Sequence, residues 1–161
     1  HGMAWDDHAT ALRARHWLSF WEAWVRSPLA TPDELVSVLG AIAAHARKLA
    51  DPAFYTLRHN HGIDQDLTLL SIAAWFPELR DSERWLRLAV TRLRTQIDAV
   101  VSPRGVTLEH SAAYHYHMLT SRLQRLHELF AANPQWPYRL DLESLLAAMA
   151  EFLAWNLTPD N

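Results

Sequence analysis

An all-α fold built from antiparallel helical hairpins is predicted, and three observations predict it. Only 4 of the 161 residues are Gly, and Pro sits at junctions, which leaves little room for the tight turns of a hairpin-rich β fold. Apolar residues recur at helical spacing through most of the chain. Each such stretch is bounded by helix start and stop signals. Half of the residues are apolar and 20% are charged, a balance that favours a packed core over disorder. With no linker, repeat or low-complexity tract between the elements, residues 1–161 read as one helical domain.

The first helix starts after Trp5-Asp6-Asp7, with an Asp as N-cap, and runs to about Arg26. It carries Trp17, Trp21 and Trp24 at i, i+4 and i+7, with Leu12 and Phe20 alongside, and Ser27-Pro28 ends it. Thr31-Pro32-Asp33-Glu34 opens the second helix: Thr31 caps, Pro32 takes the first helical position, and Glu34 reaches back as a capping-box carboxylate. Leu35, Leu39, Ile42 and Leu49 follow until Asp51-Pro52, and Asp51 to His61 reads as irregular. A third helix from about Gly62 to Phe76 places Ile63, Leu67, Leu70 and Ala74 on one face before Pro77 stops it. Ser82 is expected to cap the fourth, whose stripe of Leu86, Val90, Leu93, Ile97 and Val100 is the cleanest periodicity in the chain. Ser102 to Gly105 forms a turn, and Val106-Thr107-Leu108 is briefly extended. A fifth helix, about Ser111 to Ala132, carries Leu119, Leu123, Leu126 and Phe130 until Asn133-Pro134 and Pro137 break it. Asp141 caps the last, with Leu142, Leu145, Met149 and Phe152 facing in; it ends near Asn156, before Thr158-Pro159.

Composition removes several function classes. Lys and Arg number 15 against 18 Asp and Glu, a net charge of −3, so the basic excess of a nucleic-acid protein is missing. No run of 18 apolar residues occurs, and no membrane span is expected. The chain has no Cys, which excludes disulfides, thiolate metal sites and a Cys nucleophile. Its 10 His invite a zinc reading, but His115 and His117 fall on different faces of a helix and no His-Glu-x-x-His occurs, so no metal site is expected. Ser111 lacks a Gly-x-Ser-x-Gly elbow, no Gly-rich phosphate loop exists, and no cofactor is expected. The eight Trp read mainly as helix-packing core, with sugar stacking as the functional alternative. No secretory signal is visible, and His1-Gly2-Met3 reads as a tag remnant.

Polar residues of unusual type gather in three places: residues 5–13, 59–66 and 109–117. Each lies near a predicted helix N-terminus, where free N–H groups and a positive dipole favour anions. Three such ends on one side of a bundle would receive a carboxylate or sulfate. If the third helix begins near Asn60, then His61, Asp64 and Gln65 share a face, and Asp64 orients the His61 imidazole. Alternatively Asn60 caps the helix and His61 and Asp64 are a solvated pair. Tyr114 follows His110 by four residues and precedes His117 by three, so donating rings would lower its pKa and make it an acid or base. The alternative is a buried helix Tyr with a satisfied hydroxyl.

Three segments carry a resemblance: Trp-Asp-Asp-His-Ala-Thr-Ala-Leu-Arg (5–13), Asn-His-Gly-Ile-Asp-Gln-Asp (60–66) and Gly-Val-Thr-Leu-Glu-His-Ser-Ala-Ala-Tyr-His (105–115). Their ordered set resembles the helical domain of the heparinase II/III-like polysaccharide lyases, a group that includes heparin/heparan and alginate lyases. The resemblance implies an incomplete (α/α) toroid followed by a β-sandwich, and cleavage of an acidic, uronate-containing polysaccharide by β-elimination. It implies that Asn60 and His61 neutralise the uronate carboxylate and that Tyr114 is the catalytic acid, and for one C5 stereochemistry also the base. Asp64 or Gln65 would hold His61 in position, while Arg13, His8 and His115 would bind carboxylates along the sugar chain; Glu109 and His110 would support Tyr114. A periplasmic or secreted location is also implied. Relatives continue beyond Leu157 to Asn161 with further toroid helices and a sandwich that adds a His and a Tyr to the cleft. A fragment with weak or absent lyase activity by itself is therefore expected, with apolar helix faces open to self-association. An acidic chain acting on a polyanion also requires positive charge gathered locally. Two other readings compete: a non-catalytic glycan-binding or exopolysaccharide-assembly module of the same fold, and a plain helical interaction protein.

Overall fold

The computed structural model describes residues 5–109 and 111–156. The tag-like start, His110 and the Thr158-Pro159 stop lie outside them. The described chain is all-α: α1 (Asp7–Trp24), α2 (Pro32–Ala50), α3 (Asn60–Trp75), α4 (Ser82–Val100), a helix running from α5 (Ala112–His117) through a π-helical turn (Met118–Leu123) into α6 (Gln124–Ala132), and α7 (Glu143–Asn156).

Capping chemistry sets most of the boundaries. The Asp6 carboxylate accepts the N–H groups of His8 and Ala9 at the head of α1. The capping box of Thr31 and Glu34 forms in full, with Pro32 at the first position. Ser111 accepts the Tyr114 N–H, and Asp141 accepts that of Glu143 at 3.2 Å. Two starts differ from expectation. α3 begins two residues early, at Asn60, because the His59 ring accepts the His61 N–H. Ser82 is not a cap: Asp81 precedes the helix, and the Ser82 hydroxyl donates to the Ala73 carbonyl at 3.0 Å, tying α4 to α3. The extended stretch after Gly105 is a single antiparallel bridge between Val101 and Thr107.

The helices pair as antiparallel hairpins. Arg13 meets His45, while Trp17 and Trp24 at the other end of α1 line a groove with Glu34 and Val38 of α2. Ser82 meets Ala73, and Gln96 meets the loop ahead of α3, so α3 and α4 also run antiparallel. α1 and α3 lie side by side and parallel: His8 faces Asp64, Ala11 faces Thr68, and Trp21 packs edge-on against Phe76.

This puts α3 in the centre. Rather than one apolar face it is buried on every side, with Asp64, Gln65, Asp66, Thr68 and Ser71 as inaccessible as Ile63, Leu67 and Leu70. A helix surrounded by neighbours has no solvent face, so its polar residues must find partners within the protein. Of the eight Trp, only Trp85 is fully buried; Trp17, Trp21, Trp24 and Trp136 are half-buried, and Trp5, Trp75 and Trp155 are exposed. No described helix is long and apolar enough to cross a membrane.

Candidate functional site

The N-terminal ends of α1 and α3 meet at a stack of two imidazoles. His8 and His61 lie nearly parallel, 8° apart in plane and 4.2 Å between centroids. A different carboxylate holds each ring. His8 Nε2 lies 3.1 Å from Asp64 Oδ2, and His61 Nδ1 lies 3.4 Å from Asp7 Oδ2. Ionised carboxylates only accept, so these ring nitrogens carry the protons and His61 turns Nε2 free. Asp7 also accepts the Thr56 hydroxyl and the His8 N–H. Burial pushes the Asp7 pKa up, but the bonds from Thr56 and His8 and the nearby His61 outweigh it and hold it below the ordinary carboxylate value.

Asp64 is buried and doubly engaged, since Arg122 from the π turn donates to the same Oδ2 at 2.8 Å. Around this ion pair opens a groove of about 280 Å³, lined by His8, Leu12, Arg15, Asp64, Tyr114, His117, Ser121 and Arg122. Tyr114 is 50% exposed and lines this groove rather than the core. The π turn adjoins this wall. Gln124 N–H bonds the Leu119 carbonyl five residues back, and Tyr114, His117, Ser121 and Arg122 lie along one wall of the groove.

The sequence-predicted residues separate into two groups. Tyr114, His8 and Asp64 share the groove, and His61 joins them through its stack on His8. Asn60 is next to His61 and nearly buried; its amide bonds to no described residue, and its Oδ1 is enclosed without a partner. It does not line the Tyr114 groove. Asp64 serves His8 and Arg122, so the carboxylate on His61 is Asp7.

Three expected binding residues are committed elsewhere. Gln65 is inaccessible: its Oε1 accepts the Thr56 N–H and its Nε2 donates to the Phe54 carbonyl, which fixes the loop before α3. Arg13 points toward α2, where its Nε donates to His45 Nε2 at 3.0 Å and its guanidinium lies 5.1 Å from the Trp5 ring centroid. His115 is 2% exposed; its Nε2 donates to the Met149 carbonyl at 2.9 Å and its Nδ1 accepts the Thr107 hydroxyl, which joins α5, the bridge and α7. Glu109 is exposed.

Arg122, Arg15 and the Asp7–Thr56 pair were not singled out by sequence reasoning. Tyr114, His117 and Ser121 at i, i+3 and i+7, with Arg122 following, carry the signal, as do His8, Leu12 and Arg15 at i, i+4 and i+7. Among the described residues, no group of three or more His, Asp or Glu is placed to hold a metal ion.

Chemically the groove offers fixed positive charge, a phenol and two oriented imidazoles, a set that accepts an oxyanion and moves a proton. The chain matches the family described as Heparinase II/III N-terminus over residues 1–161. It is 32% identical over 91 residues to a heparin-sulfate lyase of Pedobacter heparinus, a stretch that covers 56% of this chain and 14% of that relative. No solved structure matches.

Proposed function

Since the chain belongs to the Heparinase II/III N-terminus family, and is thus a polysaccharide-lyase-related helical domain, we propose that it supplies one wall of the cleft in which a uronate-containing polysaccharide is cleaved by β-elimination. Residues 1–161 are on this reading a single domain, the helical hairpins of an incomplete (α/α) toroid. In the reaction the C5 proton leaves to a base, the C4–O4 bond breaks, a C4=C5 double bond forms and O4 takes up a proton. Charge builds on the uronate carboxylate as C5 is deprotonated, so donors aimed at that carboxylate lower the barrier. Asn60, whose amide has no other described partner, and His61, whose Nε2 donates when the ring is the imidazolium, take that role. Tyr114 delivers the proton to O4.

One observation supports this reading above the others. The half-exposed Tyr114 shares a groove with His8, Asp64 and Arg122, while His8 stacks on an imidazole already oriented by Asp7. The test is a Tyr114→Phe variant of the full-length protein that carries this chain, assayed by ultraviolet absorbance of the unsaturated uronate product. Turnover is expected to fall by about 10²–10⁴-fold, the range for loss of a general acid or base. The melting temperature should not move, because an exposed hydroxyl contributes little to the core. Full turnover in Tyr114→Phe removes the assignment.

A second reading has one observation in its favour: Asn60 stands outside the Tyr114 groove. If the two never share a ligand, the same cationic face binds an acidic glycan without cleaving it. Saturable binding of heparan or alginate fragments with no unsaturated product would select that reading.

A further inference from the structure

Toward the far end of α1 from His8 and His61, α1 and α2 border a largely apolar groove of about 350 Å³, with Trp17, Phe20, Trp24, Asp33 and Glu34 among its lining. α1 supplies three aromatic rings in a row. Phe20, 42% exposed, meets Trp17 edge-on with centroids 5.7 Å apart and stacks on Trp24 at 5.5 Å. α2 supplies two carboxylates from its first turn. Thr31 donates its N–H and its hydroxyl to one oxygen of Glu34, which holds that carboxyl below its ordinary value and ionised at neutral pH. The Asp33 carboxylate has no hydrogen-bond or ion-pair partner among the described residues. No described Lys, Arg or His lines the groove, and Arg26, just beyond Trp24, is paired with Glu22.

Aromatic faces attract cations, and two full negative charges outweigh the partial positive charge at the start of α2. An acidic sugar chain is repelled from such a surface, so these rings are no stacking platform for the polyanion proposed at the Tyr114 groove. We propose that the groove between α1 and α2 docks an arginine side chain of a partner protein. A guanidinium is flat and can lie on a ring while its edge forks a carboxylate, whereas an ammonium acts only as a point charge. The groove is open to solvent and larger than one guanidinium, so it also takes the residues that flank the arginine, which favours a protein segment over a small free cation. This interaction is separate from the lyase reading and involves none of its residues.

The experiment titrates the full chain with a short capped peptide, Gly-Ala-Arg-Ala-Gly, and with its citrulline counterpart, which keeps the shape of the side chain and removes its charge. Binding is followed by the NMR signals of the indole N–H groups. We expect the native chain to bind the arginine peptide about tenfold more tightly than the citrulline peptide, with the Trp17 and Trp24 signals moving. Asp33→Asn removes the unpartnered charge and Phe20→Ala the central ring. Each should weaken the arginine peptide by about three- to tenfold and leave the citrulline peptide as before, with native circular dichroism in both. Equal native affinity for the two peptides, or an arginine preference that survives both substitutions, overturns the proposal. Acetyl-arginine amide binding as tightly as the peptide makes the ligand a small cation and overturns the protein assignment. A dimer in sedimentation equilibrium that dissociates in both variants makes a second copy the occupant, and overturns it likewise.

Discussion

Asp66 shows how little a side chain's type reveals about its surroundings. It lies two positions beyond Asp64, yet it is wholly inaccessible and takes the Tyr55 hydroxyl at 2.7 Å, with Arg92 3.8 Å from its other oxygen. Arg92 covers the Tyr55 ring at 4.0 Å and donates to the Leu49 and Ala50 carbonyls at the end of α2. Burial drives the Asp66 pKa well above the ordinary value despite the opposing pull of Tyr55 and Arg92. A carboxyl whose folded pKa is raised favours folding in its protonated form, so its contribution grows as pH falls from the folded pKa toward the unfolded one. Asp66→Asn copies the neutral form and should stay within about 1.5 kcal/mol of the native protein in urea unfolding at neutral pH. Asp66→Ala strands Arg92 and the Tyr55 hydroxyl and should cost about 3–5 kcal/mol. Tyr114, His8 and His61 stood out in the sequence because their types are rare together and sit at helix starts. His115 and Gln65 have equally suggestive types, but their partners, Met149 and Phe54 among them, come from segments that no local spacing connects.

At the scale of elements, the caps made the boundaries of α1, α2 and α5 readable, since each is a local bond between residues two or three apart. The central position of α3 was not readable, because it depends on which helices surround it. The same holds for the loop ahead of α3. Gln65 fixes Thr56 and Phe54, while Gln96 takes the Arg58 N–H at 2.6 Å and donates to the Thr56 carbonyl at 2.7 Å. Arg58 is held at φ 58°, a conformation a non-Gly residue adopts only under such restraint. Gly62 lets this happen, since a Cβ there would lie 2.0 Å from the Thr56 carbonyl oxygen and 1.9 Å from Gln96 Nε2. Gly62→Ala should therefore cost about 1–3 kcal/mol or more through overpacking. It should also displace Thr56 from Asp7 and loosen His61, seen as faster hydrogen exchange over residues 51–61 together with the loss in urea unfolding.

Across the whole molecule, net acidity and the proposed polyanionic ligand are reconciled by segregation. His8, Arg15, Arg122 and Arg125 border two adjoining grooves, while the overall charge is −3. Local potential, not net charge, governs capture of a charged ligand. Affinity for an acidic oligosaccharide should therefore fall steeply as salt rises from about 0.05 to 0.5 M, where screening shortens to a few ångströms; a flat salt response in calorimetry would contradict this arrangement. Acid should unfold the same region first. Asp7 has a lowered folded pKa, so its contribution is complete above the ordinary carboxylate value of 3.8 and is lost as pH falls through the lower folded value. Asp7→Asn should remove that acid-side loss in thermal melts recorded from pH 5 down to about 2.

The widened turn at Met118–Leu123 acts as a vernier between two scales. Winding the same residues as an ordinary α-helix would swing everything after them by about 100°. Arg125 would then leave Arg15, but Leu126 and Phe130, both sealed in the interior, would be thrown outward in the same stroke. Loss of one residue from the turn itself would restore ordinary winding and leave that interior seated. The side of this helix that walls the groove is thus tied to what the turn seats inside, and should resist drift even where the ligand exerts no selection.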